Sequence, residues 1–115
     1  MFKCYESGKL NDDAVHYIQN MHNMIKTARE IRKLGISVYI PCLDILEGLV
    51  DGNFFYEDYF NNSQPWLECA DFMFVCKGWK TSEGTKKEIE YAKSIGKLIF
   101  FDLETLKYAI DHHGI

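Results

Sequence analysis

The sequence lacks the features that mark membrane, secreted and nucleic-acid-coating proteins. No apolar run approaches the ~20 residues that a membrane-spanning helix needs, and the first residues do not show the charged-then-apolar pattern of a signal peptide. Lys and Arg together number 13 against 17 Asp and Glu, whereas proteins that coat phosphate backbones cluster basic residues. We therefore expect a cytoplasmic protein with no membrane and no nucleic acid polymer as partner. A single nucleotide held in one pocket is compatible with this composition.

Patterns typical of metal sites are also missing. The four cysteines show no CxxC spacing and lie in or beside apolar runs, which is typical of buried, reduced thiols. The histidines have no partner at a spacing that would bring two ligands together. We expect neither a metal nor any other cofactor.

The sequence does contain an alternation of strand and helix patterns over a single domain, 1–115, without internal repeat, linker or low-complexity segment. β-branched and aromatic runs predict strands over residues 2–5, 36–40, 71–76 and 98–101. Apolar residues at helical spacing predict helices over 14–34, 44–50, 65–70, part of 78–97, and 103–112. Strand, helix and strand units of this kind pair in parallel with right-handed crossovers. We expect an α/β three-layer sandwich with a flavodoxin-like parallel sheet of about four strands in the order 2-1-3-4.

The least regular part of the sequence is its middle, residues 42–64. It holds an aromatic cluster over 54–60, FFYEDYF, which favours packing in the core or at a subunit interface over a lid that stacks on a base. Ser63 follows at a position suited to cap the helix predicted at 65–70.

The stretch 78–97, GWKTSEGTKKEIEYAKSIGK, joins a polar turn to the start of a helix, directly after an apolar strand. Such a turn exposes backbone N–H groups at the positive end of the helix dipole, which suits a phosphate or a carboxylate. Glu88 projects from the apolar stripe that contains Ile89 and Ala92, whereas the other charges of this helix lie away from it. An alternative interpretation is a capping box, in which Thr85 is the N-cap and Glu88 folds back on it.

The predicted strand order also predicts the position of a site. In an open parallel sheet the ligand binds beyond the carboxyl ends of the strands where the order reverses, here between strands 1 and 3. Those ends are Tyr5-Glu6-Ser7-Gly8 and the turn over 77–84. Two turns, two helix starts and Glu88 are therefore expected at one crevice.

The signature Gly78-Trp79-Lys80-Thr81-Ser82-Glu83-Gly84, followed by Glu88, resembles the nucleoside 2-deoxyribosyltransferase superfamily. The similarity is greatest to its small members that carry Gly-Trp-x-x-Ser-x-Gly and to its deoxynucleoside 5′-monophosphate N-glycosidases. It covers most of the chain, because Tyr5-Glu6-Ser7-Gly8 fits the first-strand turn and Pro41 fits the end of the second strand. The resemblance implies a single nucleoside deoxyribosyltransferase-like domain whose neighbouring subunits help to complete the pocket, hence a homodimer or higher homo-oligomer.

The resemblance assigns the chemistry to Glu88. In that family the matching Glu attacks the anomeric carbon of a 2-deoxyribose, releases the base and leaves a glycosyl-enzyme ester, which passes to water or to a second base. An N-glycosidase or deoxyribosyltransferase acting on a small-molecule nucleoside or nucleotide is therefore implied. Tyr5 matches a Tyr that lines the sugar site and orients the carboxylate.

Ser82 bears on the other end of the substrate. Family transferases of free nucleosides carry Asp at this position, whereas hydrolases of monophosphates carry Ser, so Ser82 with the N–H groups near Gly84 favours a nucleotide. The plainer interpretation is that Ser82 is only an N-cap and Gly84 only a turn residue. Ser7 and Gly8 are expected in the opposite wall, and Trp79 either stacks on a base or packs on the helix.

One position departs from the family pattern. Ser63 stands where family enzymes have an Asp that helps the base to leave, and without a general acid the rate falls by ~10²–10⁴-fold. Asp58 and Asp71 are candidate substitutes. The alternative function is a non-catalytic module that binds or sequesters a nucleotide. A phosphoacceptor receiver domain shares the sheet order but needs an Asp where strand 3 ends in Cys76-Lys77, so we set it aside.

Overall fold

The structure is a computed structural model that describes residues 1–52 and 56–115. The strands are β1 (Lys3–Ser7), β2 (Ser37–Tyr39), β3 (Phe72–Val75) and β4 (Leu98–Phe100). The helices are α1 (Ala14–Arg32), α2 (Ile45–Asp51), α3 (Tyr56–Cys69), α4 (Glu83–Ser94) and α5 (Leu103–Asp111). Short 3₁₀ turns cover Pro41–Asp44, between β2 and α2, and Trp79–Thr81, before α4.

The strands form one parallel sheet in the order β2-β1-β3-β4, which confirms the predicted order and fold class. β1 is central, and Tyr5 has Tyr39 of β2 and Met73 of β3 as its register partners. β1 and β3 are buried almost throughout, as expected for strands covered by helices on both faces. Each strand boundary differs from the predicted one by no more than two residues.

Alternation along β1 sends successive side chains to opposite faces of the sheet. On one face, Cys4 packs with residues of α1 and α5, including Ile31 and Leu106. On the other face, Tyr5 packs with residues of α3 and α4, including Leu67 and Ile89. The three predicted layers are therefore present, and the candidate site belongs to the face covered by α3 and α4.

Helix α3 continues through Pro65, so the prediction of a separate helix at 65–70 capped by Ser63 is wrong. Ser63 lies inside the helix, and its hydroxyl donates to the carbonyl oxygen of Phe60 at 3.3 Å. Pro65 removes one backbone hydrogen bond, and its ring crowds the carbonyl four residues earlier, so the helix continues at a cost. Ser63 and Leu67 are both buried on the same face, and this burial stabilises a continuous helix.

The ends of the outer helices follow their sequence signals. Gly35, with φ +82°, ends α1 in the left-handed conformation that glycine adopts without strain. Asp102 caps α5, as predicted, by accepting a hydrogen bond from the backbone N–H of Thr105 at 2.7 Å. None of the helices in the described part of the chain is both long enough and apolar enough to cross a bilayer.

The predicted aromatic cluster at 54–60 falls partly outside the described residues. Within them, Tyr59 and Phe60 lie on α3 and face a cavity, and the ring of Phe60 also meets that of Tyr91 edge to face at 6.2 Å. This part of the cluster thus contributes to a concave surface as well as to packing.

Candidate active site

A cavity of about 590 Å³ opens beyond the carboxyl end of β1, where the sequence predicts the site. Its walls come from the end of β1 and the loop that follows it, the first turn of α1, the 3₁₀ turn after β2, helix α3, and the turn before α4 with the first two turns of that helix. This volume lies within the range of ~300–1,000 Å³ typical of small-molecule sites.

The carboxylate of Glu88 is held at this cavity by two side chains of β1. The hydroxyl of Tyr5 donates to Glu88 Oε2, and the hydroxyl of Ser7 donates to Glu88 Oε1 at 3.0 Å. Tyr5 and Ser7 are fully buried neighbours on the same face of the sheet, so the donors are fixed in place. Both oxygens of one carboxylate are therefore positioned by a rigid strand.

This arrangement shows that the capping-box interpretation of Glu88 is wrong. The N-cap of α4 is Ser82, whose hydroxyl oxygen accepts from the backbone N–H of Thr85 at 3.2 Å. Thr85 lies within the first turn of α4 and is buried. The two donors on β1 hold Glu88 against the sheet, whereas a capping box would turn its carboxylate back toward the start of α4.

The electrostatic surroundings of Glu88 suit a group that ionises near neutral pH. Burial raises the pKa of Glu88 to about 7, the hydrogen bonds from Tyr5 and Ser7 oppose that rise, and the nearby charge of Asp44 adds to it. Burial and the charge of Glu88 raise the pKa of Tyr5 well above its usual value, so its hydroxyl stays a donor. Above about pH 7 the site holds an ionised, partly buried and oriented carboxylate.

The start of α4 forms the adjacent wall. Glu83 and Gly84 occupy the first turn, where backbone N–H groups have no carbonyl four residues earlier in the helix. The helix dipole is positive at this end, which favours an anion. Glu83 is itself acidic, but it is exposed and pairs with Lys86 at 3.5 Å, and Lys87 also lines the cavity.

Gly8 lines the cavity and also satisfies a packing requirement. A Cβ at this position would lie 3.0 Å from Cys76 Cβ and 3.4 Å from its sulfur, so the end of β1 meets the segment after β3 closely. The glycine is therefore required by the contact between these two segments, as well as giving a ligand access to the backbone.

Of the predicted site residues, the structure brings Tyr5, Ser7, Gly8, Ser82, Gly84 and Glu88 to this crevice. Trp79 lies elsewhere, because it is not among the described residues that line the cavity. Its ring packs on that of Phe101, with centroids 5.4 Å apart, and against the buried cluster that contains Ile89.

Asp58 and Asp71, the two candidates for the acid that the resemblance implies, are not among the described residues that line the cavity. Asp71 accepts a hydrogen bond from the backbone N–H of Lys3 at 2.7 Å, and both lie at the amino ends of their strands. Asp58 lies on α3 but is not among the described residues that line the cavity. Ser63 does line it.

The residue that sequence reasoning missed is Asp44. It ends the 3₁₀ turn after β2, lines the cavity and is 9% exposed. The hydroxyl of Tyr39 donates to its two carboxylate oxygens at 3.2 and 3.3 Å. Burial raises the pKa of Asp44, and the hydrogen bond from Tyr39 opposes the rise. Its sequence signal, an acidic residue just beyond the second strand and Pro41, is equally typical of a helix start.

One group of acidic and imidazole side chains lies elsewhere, at the start of α1. Ligand atoms of Asp12, Asp13 and His16 lie within 4.8 Å of one another, and all three residues are exposed. Asp13 is the N-cap of α1 and accepts from the backbone N–H of His16 at 2.9 Å. These contacts are those of a helix cap.

The comparisons with known proteins place the chain in a family. A family model described as Domain of unknown function (DUF4406) matches residues 2–101, and the chain belongs to this family. No curated protein and no solved structure matches the chain. The family description names no activity, so the function has to be inferred from the site.

Proposed function

We propose that this DUF4406-family chain cleaves the base–sugar bond of a 2-deoxynucleotide or nucleoside through a covalent intermediate on Glu88. The observation that carries the proposal is the fixed carboxylate: both oxygens of Glu88 are held by Tyr5 and Ser7 at the wall of a ligand-sized cavity. A buried, oriented carboxylate beside a helix start is what a glycosidic nucleophile requires.

The reaction proceeds in two balanced steps. An oxygen of Glu88 forms an ester bond to C1′ of the sugar while the C1′–N bond breaks, and the base leaves with the bonding electrons and takes up a proton. Water or a second base then attacks C1′ and gives up a proton, and the ester electrons return to the carboxylate. Tyr5 and Ser7 hold the carboxylate in line throughout and stabilise the charge that it regains.

A nucleotide is the favoured substrate. The first-turn N–H groups of Glu83 and Gly84 supply donors at the positive end of α4. Ser82 lines the cavity beside them, and its hydroxyl donates to Thr85 Oγ1 at 3.0 Å, from which it could turn to a phosphate. A 5′-phosphate at this end of the cavity would meet these donors and Lys87. A cytoplasmic setting and a homo-oligomer whose neighbouring subunit adds to the pocket belong to the same proposal.

A second candidate is a module of the same fold that binds a nucleotide without cleaving it. Ser63 favours this candidate, because it stands at the position where the nucleoside 2-deoxyribosyltransferases that the chain resembles have an acid. Its hydroxyl donates to the carbonyl of Phe60. The two candidates differ in turnover and agree in binding.

Release of free base separates them. The protein is incubated with each 2′-deoxynucleoside and its 5′-monophosphate, and free base is quantified by chromatography. We expect release by the wild type and a loss of at least ~10³-fold in Glu88→Gln, because the nucleophile is removed. Glu90→Gln is the matched control, since Glu90 is exposed on the same helix and outside the cavity.

Each of the other outcomes has a clear meaning. Binding of a nucleotide without release of base would support the module. Release that Glu88→Gln leaves unchanged would exclude Glu88 as the nucleophile. Neither binding nor release across the series would refute both candidates.

A further inference from the structure

Two stacked tyrosines, Tyr5 and Tyr39, each donate to a carboxylate that lines the cavity, and the second carboxylate is Asp44. We propose that Asp44 is the catalytic acid that protonates the departing base and then the base that accepts a proton from the attacking water. This inference rests on the proposed function, and it assigns the acid role to a residue outside the position where Ser63 stands.

The geometry begins with the pairing of β1 and β2. Tyr5 and Tyr39 are register partners, and their rings stack with centroids 5.6 Å apart and planes 29° apart. Tyr5 donates to Glu88, and Tyr39 donates to Asp44 at 3.2 and 3.3 Å. Neighbouring rings thus hold two carboxylates that both line the cavity. Asp44 comes from the turn after β2, and Glu88 comes from α4.

The ring of Tyr39 is fixed on both sides. It stacks on Tyr5 and also on Trp66 of α3, where the centroids lie 5.5 Å apart and the planes 17° apart. A ring held between two others has little freedom to turn its hydroxyl away, so Asp44 has a defined position. This is the support that a catalytic acid needs from the residues around it.

The charges around Asp44 suit a group that can hold a proton. Burial raises its pKa, the hydrogen bond from Tyr39 lowers it, the charge of Glu47 on α2 raises it, and a hydrogen bond from Asn62 on α3 lowers it. The charge of Asp44 also adds to the rise in the pKa of Glu88 on α4, after the larger effect of burial.

The productive form has Glu88 ionised and a proton on Asp44. Tyr5 and Ser7 donate to Glu88, and Tyr39 and Asn62 donate to Asp44, so the protein donors favour ionisation of both carboxylates. A ring nitrogen or carbonyl oxygen of the bound base is an acceptor, so a base bound beside Asp44 favours the protonated form of Asp44.

Protons and electrons balance in both steps. As Glu88 bonds to C1′, the electrons of the C1′–N bond move to the base, the base takes the proton from Asp44, and Asp44 becomes a carboxylate. Water then attacks C1′, Asp44 takes a proton from that water, and Glu88 leaves with the ester electrons. The products are the free base and the deoxyribose phosphate, and Asp44 is protonated again.

Two substrates test the role of Asp44. One is the deoxynucleotide that the wild type cleaves best. The other is N7-methyl-2′-deoxyguanosine 5′-monophosphate, whose cationic base leaves as a neutral molecule and needs no proton. We expect Asp44→Asn to lower kcat/KM by ~10²–10⁴-fold on the first and by less than ~10-fold on the second. Asp111→Asn, an exposed residue at the end of α5, is the matched control.

The pH profile gives a second readout. The basic limb of the kcat/KM profile reports loss of the proton from Asp44, so this limb should disappear in Asp44→Asn. Tyr39→Phe keeps the ring stack but removes the donor that lowers the pKa of Asp44, so it should move the basic limb to higher pH. If Asp44→Asn does not fold or N7-methyl substrate is not cleaved, Tyr39→Phe decides the question alone.

Failure of the role of Asp44 can be distinguished from failure of the proposed function. Equal losses on both substrates, no loss on either, or a basic limb that Tyr39→Phe leaves in place would overturn the role of Asp44 while leaving Glu88 as the nucleophile. A wild type that releases no base from any substrate would overturn the proposed function, and the role of Asp44 with it.

Discussion

Glu6, directly between Tyr5 and Ser7 on β1, should make the stability of the fold strongly dependent on pH. Its side chain is fully buried on the other face of the sheet, and neither carboxylate oxygen has a hydrogen-bond partner within the described residues. Burial raises the pKa of Glu6 to about 8, and the charge of Arg32 and the nearby thiol of Cys76 oppose the rise only in part.

The sign of the effect follows from proton binding. The folded state holds the Glu6 proton up to about pH 8, whereas the unfolded chain releases it near pH 4.5. Stability is therefore fully present below about pH 4.5 and is lost as pH rises through this window. Each pH unit costs ~1.4 kcal/mol, so the loss reaches roughly 5 kcal/mol by pH 8, a large share of the stability of a small domain.

Glu6→Gln tests this reasoning, because the amide has nearly the same shape and cannot ionise. The free energy of unfolding of both proteins is measured in urea between pH 5 and pH 8. We expect the variant to gain stability relative to the wild type with rising pH, with a slope of up to ~1.4 kcal/mol per pH unit. Glu88 and Asp44 titrate in both proteins, so their contributions cancel in the difference.

Glu90→Gln provides the background for an exposed carboxylate and should give a difference that stays flat with pH. A flat difference for Glu6→Gln as well would refute the argument. It would mean that Glu6 is ionised in the folded state, through water or a rearranged partner.

The remaining predictions concern the two turns of the site. Gly8→Ala should lower the free energy of unfolding by ~1–3 kcal/mol in urea, because its Cβ would lie 3.0 Å from Cys76 Cβ, whereas Gly114→Ala, with nothing nearer than 3.4 Å, should be close to neutral. In a background that carries Cys76→Gly, Gly8→Ala should cost much less stability than in the wild type. An equal cost in the two backgrounds would contradict the contact between positions 8 and 76. Ser82→Asp should keep the helix cap and stability within ~0.5 kcal/mol but lower kcat/KM for monophosphates relative to free nucleosides, since a carboxylate repels phosphate. An unchanged ratio of the two kcat/KM values would contradict the placement of phosphate at Ser82.

The sheet order and most of the site could be predicted because both depend on local patterns. Strand and helix signals alternate along the chain, and parallel pairing with right-handed crossovers then leaves few topologies. Once the carboxyl ends of β1 and β3 are adjacent, Tyr5, Ser82 and Glu88 have to lie near one another. Strand ends were less predictable, since they depend on pairing with neighbours.

The other features depend on contacts between distant residues, which a local pattern does not contain. Ser63 reads as a cap before a proline, yet burial of one face carries α3 through Pro65. Trp79 lies within the signature but packs on Phe101 of the segment after β4. Asp44 reads as the first residue of a helix, whereas in the structure it ends a 3₁₀ turn, accepts from Tyr39 and lines the cavity.

The central claim is the covalent role of Glu88, and the most direct measurement of it is the mass of the intermediate. The wild type is mixed with the 2′-deoxy-2′-fluoroarabinosyl nucleoside 5′-monophosphate that carries the base it cleaves best. The electron-withdrawing fluorine slows both steps, so the intermediate persists once the base has left, and the protein is then digested and mapped by mass spectrometry. We expect a sugar phosphate ester on the peptide that contains Glu88, and no adduct in Glu88→Gln. An adduct on another residue, or release of base by Glu88→Gln at the wild-type rate, would contradict it.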